Sequence, residues 1–270
     1  MKYPFVILTF LCIAACKSVP RQQLFQAQTA TTVKVEGDTI HLSLDNPLKS
    51  PMRYYLSSSD SLFNLRLKNY QPVIMKPEAK QTIHIPADSL QVKTFLLNTG
   101  LGDPATPINR YRISLPFPQG KSYRVIQAYE GSYSHNDAQS KYAIDFSLKV
   151  GDTVCAADDG VVVGVIEDYK YGGADKKWSD YANYITIFHP KSGLYTQYVH
   201  LKYKGAFVNI GDTVTEGQPI GLAGKTGWTD VAHLHFNVKM AVPQGMMSVP
   251  VKFKGGYDGE ALQAGDVVKK

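Results

Sequence analysis

From about Thr31 to Asn98, apolar side chains recur at every second position within short segments: TTVKVE, DTIHLSLD, MRYYLSS, QTIHIPA and VKTFLLN. Ile40, Leu42 and Leu44 give the cleanest alternation. Successive side chains on a strand point to opposite faces, so these runs predict strands that each bury one side. Gly37-Asp38, Asn46-Pro47 and Pro77 separate them, a turn spacing that suits a small antiparallel β-sandwich of the immunoglobulin-like kind. His41 and His84 fall singly on two of these strands and read as ordinary strand residues.

The Gly- and Pro-rich stretch GLGDPATP, residues 100–107, interrupts the periodicity and marks a boundary. Short apolar runs resume beyond it. Gly151-Asp152-Thr153-Val154 and Gly211-Asp212-Thr213-Val214 each read as a tight turn opening a strand. The chain is therefore expected to be all-β, with a sandwich accessory domain over 31–105 and a second β-rich domain with a central antiparallel sheet over 106–254. Residues 255–270 read as a C-terminal tail without chemistry.

The N-terminus departs from this pattern. Lys2 precedes an apolar run from Pro4 to Ala15, far shorter than the ~20 residues a membrane-spanning helix needs, which marks an export signal over residues 1–15. The run ends in Ile13-Ala14-Ala15-Cys16, which resembles the lipobox of bacterial lipoproteins; that resemblance implies cleavage before Cys16 and lipidation of its side chain. Residues 16–30 then form a polar tether to a membrane anchor, each buried methylene of which contributes about 0.8 kcal/mol. The lipid-anchored reading places the protein in the bacterial cell envelope; the alternative is an ordinary secretory signal cleaved near Ala15, and both readings place the protein outside the cytoplasm.

Composition refines the picture. A length of 270 residues favours two compact units, and 17 Tyr, 22 Gly and 15 Pro agree with short strands and many turns. The formal charge of +6 attracts polyanions, but no Lys/Arg cluster is interleaved with aromatics and no helix-turn-helix, zinc-finger or RNP pattern is present, so nucleic acid is not an expected partner. Beyond the N-terminal run the single thiol is Cys155, in VCAADDG, which excludes an intrachain disulfide and reads as a small buried hydrophobe.

Candidate chemistry lies in the second unit. His233 and His235 in AHLHF are two apart, so on a strand they share one face about 6–7 Å apart. Burying two imidazoles beside Leu234 and Phe236 without polar partners is costly, and a metal or a hydrogen-bond network removes that cost. Asp145 in KYAIDF is a carboxylate in an otherwise apolar strand, where Asp is disfavoured unless paired. Two His and one Asp form a set that suits zinc, with a fourth position left for water.

With these motifs in order, residues of about 110–250 resemble the lysostaphin-type zinc metallo-endopeptidases that degrade peptidoglycan. SHND with KYAIDF is similar to the first metal motif, VCAADDGVVVGV to the strand pair after it, YANYITIFHPKSGLYTQYVHL to the strand leading into YxHL, and GDTVTEGQPIGLAGKTGWTDVAHLHFNV to the closing Gly-rich turn and HxH strand. The resemblance implies that His135, Asp145 and His235 hold one zinc per chain, that His200 and His233 are the catalytic histidines, and that the substrate is a peptidoglycan peptide. Nine residues separate His135 from Asp145, where the commonest family form has three; NDAQSKYAI is read as a lengthened connection, with Asp137 as the reserve ligand. Gly224, Gly227 and Thr229 are expected to line the cleft, while His189 reads as structural and Tyr184, Tyr195 and Tyr198 as strand residues. Two rival readings remain: a catalytically inactive relative that binds the wall and regulates other hydrolases, and a biotinyl or lipoyl carrier suggested by IGDTVTEGQPIG. No lysine at a fitting hairpin tip supports the carrier.

Overall fold

The computed structural model describes residues 29–87, 91 and 93–270. The expected export signal, Cys16 and the expected tether up to residue 28 lie outside the described residues. The first six strands are β1 (Thr32–Glu36), β2 (Thr39–Asp45), β3 (Met52–Ser58), β4 (Val73–Met75), β5 (Lys80–Pro86) and β6 (Phe95–Leu101). They form two three-stranded antiparallel sheets, ordered β1-β2-β5 and β4-β3-β6. The alternation on β2 buries Ile40, Leu42 and Leu44 in the same cluster as Met52, Tyr54 and Leu56 from β3. One helix, α1 (Ser61–Leu67), follows β3; the Asp60 carboxylate caps it by accepting from the Phe63 amide, and Phe63 and Leu67 face the core. His41 and His84 are not isolated, because β2 and β5 place them directly opposite with their Nδ1 atoms 3.0 Å apart.

The remaining strands are β7 (Arg112–Ile113), β8 (Ser122–Gln127), β9 (Ile144–Phe146), β10 (Thr153–Cys155), β11 (Gly160–Ile166), β12 (Gly172–Gly173), β13 (Tyr184–His189), β14 (Leu194–Val199), β15 (Leu201–Ala206), β16 (Thr213–Val214), β17 (Pro219–Ala223), β18 (Gly227–Trp228), β19 (Leu234–Val242), β20 (Gly245–Ser248), β21 (Lys252–Phe253) and β22 (Val267–Lys269). A central antiparallel sheet runs β16-β11-β13-β14-β19-β9-β8-β22, with β20 paired to β19. A smaller antiparallel sheet, β10-β17-β15, shares its core: Ile185, Ile187, Tyr198, Phe236 and Val238 cluster with Val154, Ile220 and Ala223. Cys155 is buried on β10, as its apolar setting implies. The other face of the central sheet carries Tyr195, Gln197 and Val199 on β14, in register with Lys239, Asn237 and His235 on β19.

The two Gly-Asp turns are one device. Gly151 and Gly211 have φ of +92° and +93°, and the Asp152 and Asp212 carboxylates accept from the amides of Lys149 and Asn209. A third copy, Gly265-Asp266, with the Asp266 carboxylate on the Gln263 amide, opens β22. Residues 255–270 are therefore built into the fold and do not trail from it: β22 pairs with β8, and Leu262 and Val268 are buried.

The first six strands are packed onto one end of the central sheet. Val163, Phe188 and Tyr195 of that sheet belong to the same buried cluster as Ile40 and Leu42. Arg53, fully buried, donates to the carbonyls of Gly102 and Gly245, and the Tyr55 hydroxyl donates to the Pro243 carbonyl at 2.6 Å. Gly102 has φ +81°, and a Cβ there would lie 2.7 Å from that of Ala241.

Candidate metal centre

Three backbone stretches converge on one point. Asp145 is the middle residue of β9, and antiparallel register sets it directly across from His235 on β19. A pleated pair holds opposed side chains close on one face, so the two donor groups meet without any loop contribution. Asp145 Oδ1 lies 2.9 Å from His235 Nδ1. His135 comes from the turn between β8 and β9, where its amide donates to the Gly131 carbonyl. Its Nδ1 donates to the Ala128 carbonyl at 2.8 Å, which leaves Nε2 as the lone-pair nitrogen, 3.2 Å from Asp145 Oδ1 and 3.1 Å from His235 Nδ1. Among the described residues, His135, Asp145 and His235 are the one group of three or more such side chains spaced to hold a metal ion.

Two more imidazoles flank the group. His233 enters through a bridge to Gly224, with Nε2 at 3.6 Å from Asp145 Oδ2, while its Nδ1 is tied to the Val231 carbonyl and the Thr229 hydroxyl. His200 follows β14 with φ +66°, and its Nδ1 donates to the Thr226 carbonyl at 2.7 Å. The His200 ring centroid is 4.6 Å from that of His233 and 6.0 Å from that of His235. Both rings thus have Nδ1 occupied by backbone carbonyls, which leaves Nε2 free for chemistry.

Charge in the cluster is tightly coupled. Burial opposes ionisation of Asp145, but the adjoining imidazoles of His135, His235 and His233 outweigh it and hold the carboxyl well below the usual range. Burial also works against protonation of His135, yet the adjoining Asp145 raises it overall. His235 is pushed down chiefly by burial. His200 is pushed down to about 3 by burial and by the neighbouring His233 and His235.

The structure also places the other residues singled out in the sequence. Asp137 stands outside the cluster, exposed, with its carboxylate on the amides of Gln139 and Ser140. Gly224 and Gly227 are buried against the chain itself: a Cβ on Gly224 would meet Lys202 N at 2.5 Å, and one on Gly227 would meet Ala182 at 2.5 Å. Thr229 is buried and turned toward His233, so it positions that ring. His189 is structural, with Nδ1 on the Asp159 carbonyl and Nε2 on the Thr196 hydroxyl. Sequence reading missed Gln127, which donates to Asp145 Oδ2 at 3.3 Å and to the Ser134 hydroxyl at 2.8 Å. It sits across from Asp145 only because a bulge interrupts the β8–β9 register, a feature with no local signature. It also missed the ring pair of Tyr133 and Trp228, 5.1 Å apart and joined through the Ala174 carbonyl.

Comparison with known proteins places the site in context. Residues 139–246 match the description of peptidase family M23; Asp145, His200, His233 and His235 fall inside that span and His135 just before it. Over 130 residues the chain is 34% identical to an uncharacterized metalloprotease of Buchnera aphidicola, covering 47% of this chain and 31% of that protein. Over 94 residues it is 35% identical to the peptidoglycan DD-endopeptidase ShyA of Vibrio cholerae, covering 35% of this chain and 19% of that protein. The catalytic domain of the antimicrobial peptidase lysostaphin from Staphylococcus simulans aligns with a TM-score of 0.34 at 22% identity, over 48% of this chain and 88% of that one. The chain thus spans less than a third of the length of the two curated relatives.

Proposed function

Because the chain carries a peptidase family M23 domain, we propose that it is a zinc metallo-endopeptidase that hydrolyses peptide bonds in bacterial peptidoglycan. The observation that carries this reading is the convergence of His135 Nε2, Asp145 Oδ1 and His235 Nδ1 to mutual distances of 2.9–3.2 Å. Tetrahedral zinc with bonds of about 2.0–2.2 Å spaces its ligand atoms roughly 3.3–3.5 Å apart, so a small outward adjustment of these groups fits the ion. Three protein ligands leave a fourth position for water or substrate. Zinc bound there supplies a Lewis acid that lowers the pKa of water and polarises the scissile carbonyl. That ShyA is a peptidoglycan endopeptidase supports the substrate class.

The remaining steps belong to the chain's own residues. His200 and His233 each present Nε2 with Nδ1–H fixed on a carbonyl, the tautomer that accepts a proton from attacking water. The same nitrogens, once protonated, donate to the developing oxyanion and to the leaving amine. Gln127 and the Ala128 carbonyl hold Asp145 and His135 in place behind the site. The anchoring of Cys16 to a membrane by lipid belongs to the same proposal, and incorporation of labelled palmitate that disappears in Cys16→Ser tests it.

The deciding experiment is mass spectrometry of muropeptides after digestion of sacculi, combined with metal analysis of the purified protein. We expect about one zinc per chain, new peptide ends, and loss of both in His235→Ala and after exhaustive chelation. Cleavage that survives chelation overturns the proposal. So does a metal-free wild type without cleavage, the outcome that favours a wall-binding regulator.

A further inference from the structure

Lys239 occupies an unusual position. It lies on β19 on the same face as His235, and four residues at about 3.3 Å each put it roughly 13 Å along the strand. Its ammonium donates to Gln197 Oε1 at 2.8 Å, and among the described residues no carboxylate lies within ion-pair distance. Asp137 is the acidic group whose charge reaches it, but the Asp137 carboxylate is already engaged by the amides of Gln139 and Ser140 and the Ser140 hydroxyl. Burial pushes the Lys239 pKa down to about 8. A partly buried ammonium with one amide for company is incompletely compensated, and it gains from an arriving anion.

The surroundings are shaped to admit one. Lys239 lines a cavity of about 160 Å³ with Leu101, Tyr184, Tyr195, Gln197 and Met246. Tyr184 is paired with Val199, which is paired in turn with His235, so the cavity begins on the same rung of the sheet as the metal cluster. Leu101, at the end of β6, and Met246, on β20, wall its far end. Asn237, between them on the same face, is buried and donates to the Gln139 carbonyl, so a peptide leaving the cluster for Lys239 runs beside it, over the partly buried Val199 and Gln197 of β14, and spans about four residues.

Resting on the peptidase reading, we propose that this cavity is a specificity subsite in which Lys239, steadied by Gln197, binds a free carboxylate of the peptide substrate about four residues from the scissile bond. Wall stem peptides carry such carboxylates on side chains and chain ends. The first six strands then contribute to substrate choice directly, because Leu101 closes the pocket.

The test uses cross-linked muropeptide dimers with their carboxylates either free or converted to amides, and the full chain as wild type, Lys239→Met and Lys239→Arg. For free-carboxylate dimers we expect Lys239→Met to raise KM by about tenfold or more with kcat nearly unchanged, and Lys239→Arg to restore most of the loss. For amidated dimers, wild type and Lys239→Met should be equal. Equal loss on both forms, or no loss on either, overturns the subsite. Calorimetric binding of the same peptides decides it even if wild type cleaves neither form, a result that sinks the peptidase reading: carboxylate-dependent binding lost in Lys239→Met supports the subsite, and its absence overturns it.

Discussion

At the scale of single residues, the proposed mechanism separates groups that would hold an ion from groups that would move protons. His200 and His233 touch the cluster without joining its three converging donor atoms. Replacing either by Ala should therefore leave zinc content near that of wild type while lowering kcat by about 10²–10⁴-fold, as measured by metal analysis and muropeptide release on the same preparations. Lys239 yields a prediction independent of metal. Its folded pKa of about 8 lies below the ordinary 10.5, so between those values the unfolded chain binds more protons and stability rises with pH. Below pH 8 the charge of this partly buried ammonium weighs most against the fold. Denaturant midpoints of wild type and Lys239→Met should thus converge as pH rises from 8 toward 10.5, and a gap independent of pH would contradict the desolvated ammonium.

At the scale of elements, the sequence was most informative where strand periodicity alone fixes geometry. His233 and His235, two apart, do reach the same carboxylate, and Asp145 does sit mid-strand among apolar neighbours. The place of His135 was less legible, since a turn of irregular length carries no period, and its orientation is set by the Ala128 carbonyl. The glycines were legible only in part. Close backbone approach is visible in sequence as Gly, but what approaches is not, and here it is Lys202 and Ala182 of the same chain. Gly227 combines φ +82° with that contact, and β18 leads straight into Thr229 and His233. We expect Gly227→Ala to cost about 1–3 kcal/mol in urea unfolding and to reduce activity through displacement of His233.

At the scale of the whole molecule, two β-rich regions were readable from turn spacing, but their union was not. Apolar alternation says that a face is buried and not against what. The buried Arg53, the left-handed Gly102 and the outward Tyr195 all find their partners across the seam between the first six strands and the central sheet. The last strand was missed for a related reason: Val267 and Val268 are too few to show a period, and only the repeated Gly-Asp turn announces them. Gly102→Ala should strain the seam at Ala241 and cost about 1–3 kcal/mol. Hydrogen exchange should then show faster opening over residues 31–101, whereas a rise confined to residues next to 102 would argue that the seam holds nothing together.

The direct pairing of Asp145 with His235 has one more implication. A slip of a single residue between β9 and β19 would turn the carboxylate to the opposite side of the sheet, and no small repair could bring it back. On the proposed reading, a misaligned molecule is disarmed from the outset, so loading with the ion doubles as proof of correct assembly and a hydrolase dangerous to its own cell is switched on only in copies that have folded true.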